Sequence, residues 1–482
     1  MASFSQTMII TQHIMRKLVL LSLIFILIVP ELSCSRRTRS KSSIEENSSV
    51  VVAEQTNSTS ESQLGVQSSE RQEESSLSPV PASKPAVIKI FIENSGSMNG
   101  YINSTSEFQS AIQKMVILLK HYYGQSSIQL SYVNRGVYGQ TLPSGKPVED
   151  FAVDMLQKTK FAGTGSGHHG DTNLNDIIGL VLEQTEEDGI SILISDYIYS
   201  VGNDQVAPVA LSSCENKTMG HFLEKTKILP TLTTLIIQLR SSFNGRYWDY
   251  AHPNSNPHNL NCTRPYYMCV IGSAASVADF NNNISIDEMS GFNNKLLLSS
   301  VSLKNTRYAV LGATERKGRF VKRGSNSIDN VTLTNHGNEF QFSIGVDLSK
   351  FPLNENEKED LNNYSISHGN YQIVDVKPID VDYINNPNDK ALIKSKGFTH
   401  MIVVKSTGLP INDCTLNIKM EMPKWVSTDS SIDDRRIDTD ESEQLKTFGI
   451  EYFIRGIFEA YSKVSEGEKE YFTMNINITK KI

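Results

Sequence analysis

The sequence predicts an α/β protein: a doubly wound, mostly parallel sheet over residues 86–285, then a β-rich, sandwich-like region over 286–482. Three observations carry this. The apolar runs Val87–Ile92 and Ile190–Ile194 have the length and β-branched content of core strands. Between them lie stretches with apolar residues at helical spacing, such as Phe108, Ala111, Ile112, Met115, Val116 and Leu119; strands alternating with helices imply a parallel sheet. From about Asn294 the texture changes to short alternating segments separated by polar turns, the pattern of antiparallel layers.

At the N-terminus, Arg16-Lys17 precedes the apolar run Leu18–Pro30 and then Glu31-Leu32-Ser33-Cys34. A basic flank, a short apolar core and a small residue before the cut describe a secretory signal, too short for a comfortable membrane span. The cysteine after Ser33 resembles a bacterial lipoprotein signal over residues 1–34. That resemblance implies lipidation of Cys34 and a chain anchored to a membrane of the bacterial cell envelope. Glu31 departs from it, standing where such signals carry an apolar residue. Residues 35–85 are rich in Ser and Glu and too poor in apolar side chains to offset chain entropy; they read as a disordered tether.

The run Val87–Ile92 ends in Glu93-Asn94-Ser95-Gly96-Ser97-Met98. Glu107–Tyr123 follows as an amphipathic helix, Ser127–Val133 as a strand and Val148–Lys158 as a second helix. A glycine-rich loop, Gly163–Gly170, leads to Thr172 at the start of a third helix, and the strand Ile190–Ser195 ends in Asp196. Thr231–Leu239 and Tyr266–Ile271 read as further buried strands. Two insertions interrupt this pattern, Tyr197–Thr218 and the long aromatic loop Ser241–Arg264, with Tyr247, Trp248, Tyr250, His252 and His258. In the second half, strands are expected at Lys295–Ser302, Phe340–Val346, Tyr371–Val376, Met401–Val404, Thr415–Met420 and Phe472–Ile478. Trp425 is expected in the core, and one helix over Gln444–Lys463 is expected to cover the sandwich.

Glu93, Ser95 and Ser97 sit at alternate positions past a strand end and can turn three hard oxygens toward one point, which suits a small divalent cation. Thr172 and Asp196 fall on a helix start and a second strand end, and ligands of open α/β sheets bind outside the carboxyl ends of the strands. Strand-acid-x-Ser-x-Ser, then Gly-x-Thr before a helix, then strand-Asp resembles the von Willebrand factor A family over roughly residues 86–285. The resemblance implies a metal-ion-dependent adhesion site holding Mg²⁺, or Mn²⁺ or Ca²⁺. Ser95, Ser97 and Thr172 would touch the ion, and Asp196 would act through water. Glu93 is the departure, since the family carries Asp there. It also implies a protein partner presenting an acidic residue. Beside it stands the ordinary reading, in which Ser-Gly-Ser is turn chemistry and Thr172 a helix cap.

Other chemistry is less well supported. The glycine-rich loop lacks the Gly-Lys-Ser/Thr ending of a phosphate loop, and neither a Gly-x-Ser-x-Gly elbow nor a His-Glu-x-x-His helix is present. His168 and His169 on that loop, with His252 or His258, form a weaker metal candidate. A formal net charge of -7 without a basic stripe argues against nucleic acid as the main partner. Cys214, Cys262, Cys269 and Cys414 lack metal-site spacing, and Cys269 falls in a strand where a buried thiol is expected. The functional expectation is therefore an envelope-anchored binding protein rather than an enzyme. Its competitors are a metal-free scaffold of an envelope assembly, and a metal-dependent hydrolase drawing a base from Asp171, Asp176 or His169.

Overall fold

Seven strands form the first sheet of the computed structural model, which describes residues 84–480 except 103–105, 166–171, 203–205, 253–254, 302–304, 336–337, 368–369, 411–412, 420–421 and 466–469. The signal with Cys34, the tether and the loop residues His168, His169 and Asp171 lie outside the described residues. The strands are β1 (Val87–Glu93), β2 (Ile128–Val133), β3 (Val137–Gln140), β4 (Gly189–Ser195), β5 (Leu232–Tyr247), β6 (His258–Ser273) and β7 (Phe292–Ser299). Their order is β3-β2-β1-β4-β6-β5-β7. β1 pairs in parallel with both β2 and β4, and every other neighbour in this sheet pairs antiparallel. The parallel character expected from sequence is thus concentrated in the run β2-β1-β4.

The antiparallel side arises where an aromatic loop was expected. β5 and β6 run straight through Ser241–Arg264 as one long hairpin, paired from Leu232↔Ser273 to Tyr247↔His258. Along this extension Ser241, Phe243 and Tyr247 are buried while Ser242, Asn244 and Arg246 are exposed, a period-two pattern. The polar alternates disguise it as loop.

Helices α1 (Glu107–Tyr123), α2 (Val148–Met155), α3 (Lys158–Gly163), α4 (Leu174–Gln184), α5 (Ala207–Ile228) and α6 (Ala274–Asn283) belong to this part of the chain. The single helix expected over Val148–Lys158 is broken into α2 and α3. The expected insertion Tyr197–Thr218 contains the first half of α5. Alternate residues of β1 serve opposite faces: Ile88, Ile90 and Ile92 pack with α1, α2 and α6, and Phe91 packs with α4 and α5. Helices therefore cover both faces of the sheet.

Two further sheets follow from β8 (Tyr308–Leu311), β9 (Arg319–Arg323), β10 (Ser327–Thr332), β11 (Phe340–Val346), β12 (Tyr364–Ser367), β13 (Tyr371–Pro378), β14 (His400–Ser406), β15 (Cys414–Lys419) and β18 (Glu470–Lys480), with a small pair β16 (Ser430–Ser431) and β17 (Thr447–Phe448). Their orders are β12-β15-β18-β10-β9 and β13-β14-β11-β8, antiparallel apart from β10 beside β18. Phe342 and Val404 of one sheet share a core with Leu416 and Met474 of the other. Met401 and Val403 point the opposite way, into a smaller cluster with Ile393 of α7 (Pro387–Lys396). Trp425 is half-buried, with Val426 filling the core position beside it.

The helix expected over Gln444–Lys463 is interrupted at Gly449, whose φ of 79° is left-handed. Past it runs α8 (Ile450–Val464). It packs against α5 and the first sheet, not against the sandwich alone. Arg455 Nε donates to Glu215 at 2.8 Å, and the hydroxyls of Tyr461 and Thr234 on β5 are 2.8 Å apart. The cause is a face too wide for one layer: Phe453, Ile454, Ile457, Phe458, Ala460 and Tyr461 are all buried. β7, beyond residue 285, is an edge strand of the first sheet, and the described residues fall within one compact unit.

Candidate functional site

β1 has β2 on one side and β4 on the other, so the chain leaves its carboxyl end in opposite directions. In open α/β sheets such a switch point opens a crevice at the strand ends. Glu93, the last residue of β1, and Asp196, the first past β4, meet there. Both are buried, at 6% and 4% exposure. Glu93 Oε2 accepts a short hydrogen bond from Ser195 Oγ, and that oxygen in turn accepts from Tyr197 N at 2.9 Å. Ser95 Oγ and Ser97 Oγ are 3.1 Å apart. Asp196 Oδ1 accepts from Ile198 N at 3.3 Å.

Burial pushes the Glu93 carboxyl up to about 8; the charge of Asp196 adds to this, while hydrogen bonds from Ser195 and Ser95 act against it. Asp196 is raised as well, chiefly by burial, against a hydrogen bond from Ser97, the Ile198 N–H and the charge of Arg264. The electrostatics thus link the four groups: Ser95 to Glu93, Ser97 to Asp196, and the two acids to each other.

Thr172 is placed differently. Asn173, one residue on, caps α4 by accepting from Asn175 N at 2.9 Å. The Thr172 carbonyl accepts from Ser200 Oγ at 3.1 Å, which ties it to the segment after Asp196. No hydrogen bond joins its hydroxyl to the other four residues among the described residues.

The loop is held by side chains that sequence reasoning did not single out. Asn94 Nδ2 donates to the carbonyls of Phe161 and Thr164, each at 2.9 Å, and Asn94 Oδ1 accepts from Asn134 at 3.0 Å. The 3₁₀ turn Ser97–Tyr101 rests on the β5–β6 hairpin. A Cβ on Gly245 would stand 2.6 Å from Gly100 Cα, so only two glycines permit this approach. Tyr197, directly after Asp196, has a φ of 53°, a strained setting of the kind that gathers at functional sites.

Arg264 was hidden in the expected aromatic loop. It is 1% exposed, its guanidinium lies 4.5 Å from the Tyr247 ring centroid, and it donates to the carbonyls of Gln444 and Lys446 at 3.2 and 3.3 Å. Its Nε has no hydrogen-bond partner among the described residues. A buried cation beside Asp196 had no sequence signal beyond being an Arg between Thr263 and Pro265.

The crevice thus offers two carboxylates and two neutral hydroxyls, all hard oxygen donors. Among the described residues no group of three or more His, Cys, Asp or Glu side chains is arranged to hold a metal ion. The cysteines Cys214, Cys262, Cys269 and Cys414 are free thiols. No helix of the described residues is long and apolar enough to cross a membrane. No protein-family profile, no curated protein and no solved structure matches this chain.

Proposed function

We propose that this protein is an envelope-anchored binding module whose first sheet engages a protein partner through a divalent cation, Mg²⁺ foremost, at the crevice between β1 and β4. The observation that carries this reading is the meeting of Glu93 and Asp196, two acids buried side by side, with the Ser95 and Ser97 hydroxyls 3.1 Å apart. Two buried acids repel, and a divalent ion relieves that repulsion. A separation of 3.1 Å is close to the roughly 3 Å between neighbouring ligands around an octahedral Mg²⁺ with its metal–oxygen distances of about 2.1 Å. Ser95 and Ser97 would hold the ion directly with Thr172, and Glu93 and Asp196 would supply the negative charge. When bound, the ion offers an electrophilic position that a partner's Asp or Glu carboxylate can fill. Lipidation at Cys34 and the tether 35–85 belong to the same proposal, as does the finer fold: a doubly wound sheet of the von Willebrand factor A kind. The β3-β2-β1-β4 order and helices on both faces support that assignment, while the antiparallel β6-β5-β7 side departs from a parallel sheet.

Calorimetric titration of the full chain with Mg²⁺ and Mn²⁺ tests this, wild type beside Ser97→Ala. Binding by the wild type that is lost in the variant supports the reading; no binding to either removes it. One observation favours a second reading, a metal-free scaffold. Burial and the charge of Asp196 favour the neutral form of Glu93, which is already hydrogen-bonded to Ser195, so the crevice can be satisfied internally. Binding restored only in Glu93→Asp would put that scaffold ahead.

A further inference from the structure

At the far end of the β5–β6 hairpin a chain of ionisable side chains crosses to the C-terminal half. Asp249, 1% exposed, accepts from His258 Nε2 at 2.7 Å and from His252 Nδ1 at 3.0 Å. Its Oδ1 also accepts from the backbone of Ala251 and His252, at 2.8 and 2.9 Å. The other ring nitrogen of His258, Nδ1, faces Asp438 Oδ2 at 3.1 Å. An imidazole that meets a carboxylate at each nitrogen needs a proton on both, so this geometry is complete only for the imidazolium. Asp249 belongs to the hairpin and Asp438 to the segment between β16 and β17.

The same two elements are joined by Asp434, which accepts from the Tyr247 hydroxyl at 2.6 Å and from Tyr250 N at 3.0 Å. The charged groups facing His258 are therefore Asp249 from its own hairpin and Asp438 from the opposing segment, and His252 meets Asp249 from the other side. Asp434 and Arg435 of that segment act on Asp249 one step further out.

We propose that His258 is a proton-operated latch: as imidazolium it binds the Asp438 end of the Asp434–Asp440 segment to the β5–β6 hairpin, and loss of its proton frees that end while Asp434 and Ile437 stay anchored. The latch stands beside the crevice. The same hairpin carries Gly245 and Phe243, which support the Ser97–Tyr101 turn, and Arg264, which grips the carbonyls of Gln444 and Lys446. Although burial alone disfavours charge on His258, its bonds to Asp249 and Asp438 outweigh that and raise its proton affinity. The closed state accordingly belongs to the acid side and opens as pH rises through the folded-state value.

The test is hydrogen exchange of residues 438–441 in the full chain, corrected for intrinsic rate, at about pH 6 and about pH 9. The wild-type segment is expected to exchange at least about ten-fold faster at the higher pH. In His258→Gln it is expected to exchange fast at both pH values, and in His252→Gln to keep the wild-type step. Asp438 is half-exposed, so Asp438→Asn removes one arm without burying a defect; it is expected to move the step to lower pH. A wild-type segment equally protected at both pH values overturns the latch. So does a step that survives in His258→Gln, disappears in His252→Gln, or stays in place in Asp438→Asn.

Discussion

Ser97 brings a single hydroxyl to the crevice and is only half-buried, so replacing it with alanine removes an oxygen donor and little packing. Ser97→Ala is expected to weaken Mg²⁺ binding by at least about ten-fold, with a thermal midpoint within a degree or two of wild type. Equal affinity in calorimetry would remove Ser97 from the ligand set. Glu93→Gln is a sharper case, because burial and the charge of Asp196 already push the acid toward its neutral form. The amide should leave the fold intact and still abolish cation binding; a titration of the variant that matches wild type would sink the assignment. Asp389 supplies the pH-dependent counterpart. Burial opposes its charge, but the N–H groups of Gly312, Ala313 and Thr314 and the Thr314 hydroxyl hold its proton affinity below the usual carboxylate range. A lowered carboxyl stabilises the fold above its unfolded value and loses that contribution as pH falls through the folded one. Asp389→Asn should therefore lower stability at pH 7 and narrow the gap to wild type under acid, as denaturant titrations at several pH values would show. At this scale Glu93, Ser95, Ser97 and Asp196 were legible because each lies at, or within four residues past, the end of an apolar strand. Ser195 was one residue from a named acid. Arg264 was not legible, since its burial depends on Tyr247 and on carbonyls 180 and 182 residues away.

Among the elements, the β5–β6 hairpin does the most to shape the crevice, because the Ser97–Tyr101 turn lies flat on it. A Cβ on Gly245 would collide with Gly100 backbone at 2.6 Å, and backbone cannot swing aside as a side chain can. Gly245→Ala is expected to cost about 1–3 kcal/mol and to displace the Ser97 turn. Denaturant unfolding measures the first effect and Mg²⁺ affinity the second; an unperturbed variant would mean that the hairpin does not support the turn. In this half β1, β2, β4, α1 and α4 were readable from apolar spacing, whereas α5 lay hidden in an expected insertion and β3 and α6 carried no such signal. The hairpin extension was not readable either, since its exposed alternates Ser242, Asn244 and Arg246 are residues equally at home in a loop. The break before α8 was hidden for a related reason. Apolar periodicity runs across Gly449, and the left-handed backbone there is decided by the packing of Leu211 and Tyr199 against it.

Over the whole molecule, α8 is the piece that makes two regions into one. The sequence shows a wide apolar face on this helix; it does not show which layer receives it, because apolar surface carries no address. The structure sends it to α5 and the first sheet, where Phe453 packs 4.9 Å from the Tyr197 ring. Phe453→Ala should cost about 3–5 kcal/mol, and probes placed in the first sheet and in the sandwich should report the same lowered midpoint. Two separate transitions, with only the sandwich affected, would show that the halves fold independently.

β7 makes the same point about dissection. Its ladder with β5 runs from Thr233↔Ser299 to Leu239↔Phe292, yet it lies beyond residue 285, where the sequence places the end of the first region. A fragment ending at 285 would leave that flank of β5 with bare N–H and C=O groups above an apolar face stripped of α8. Such an edge is a template for other chains, so the fragment should self-associate into strand-paired aggregates. Poor solubility of a trimmed first half would then report a missing edge strand, not a failure of the crevice.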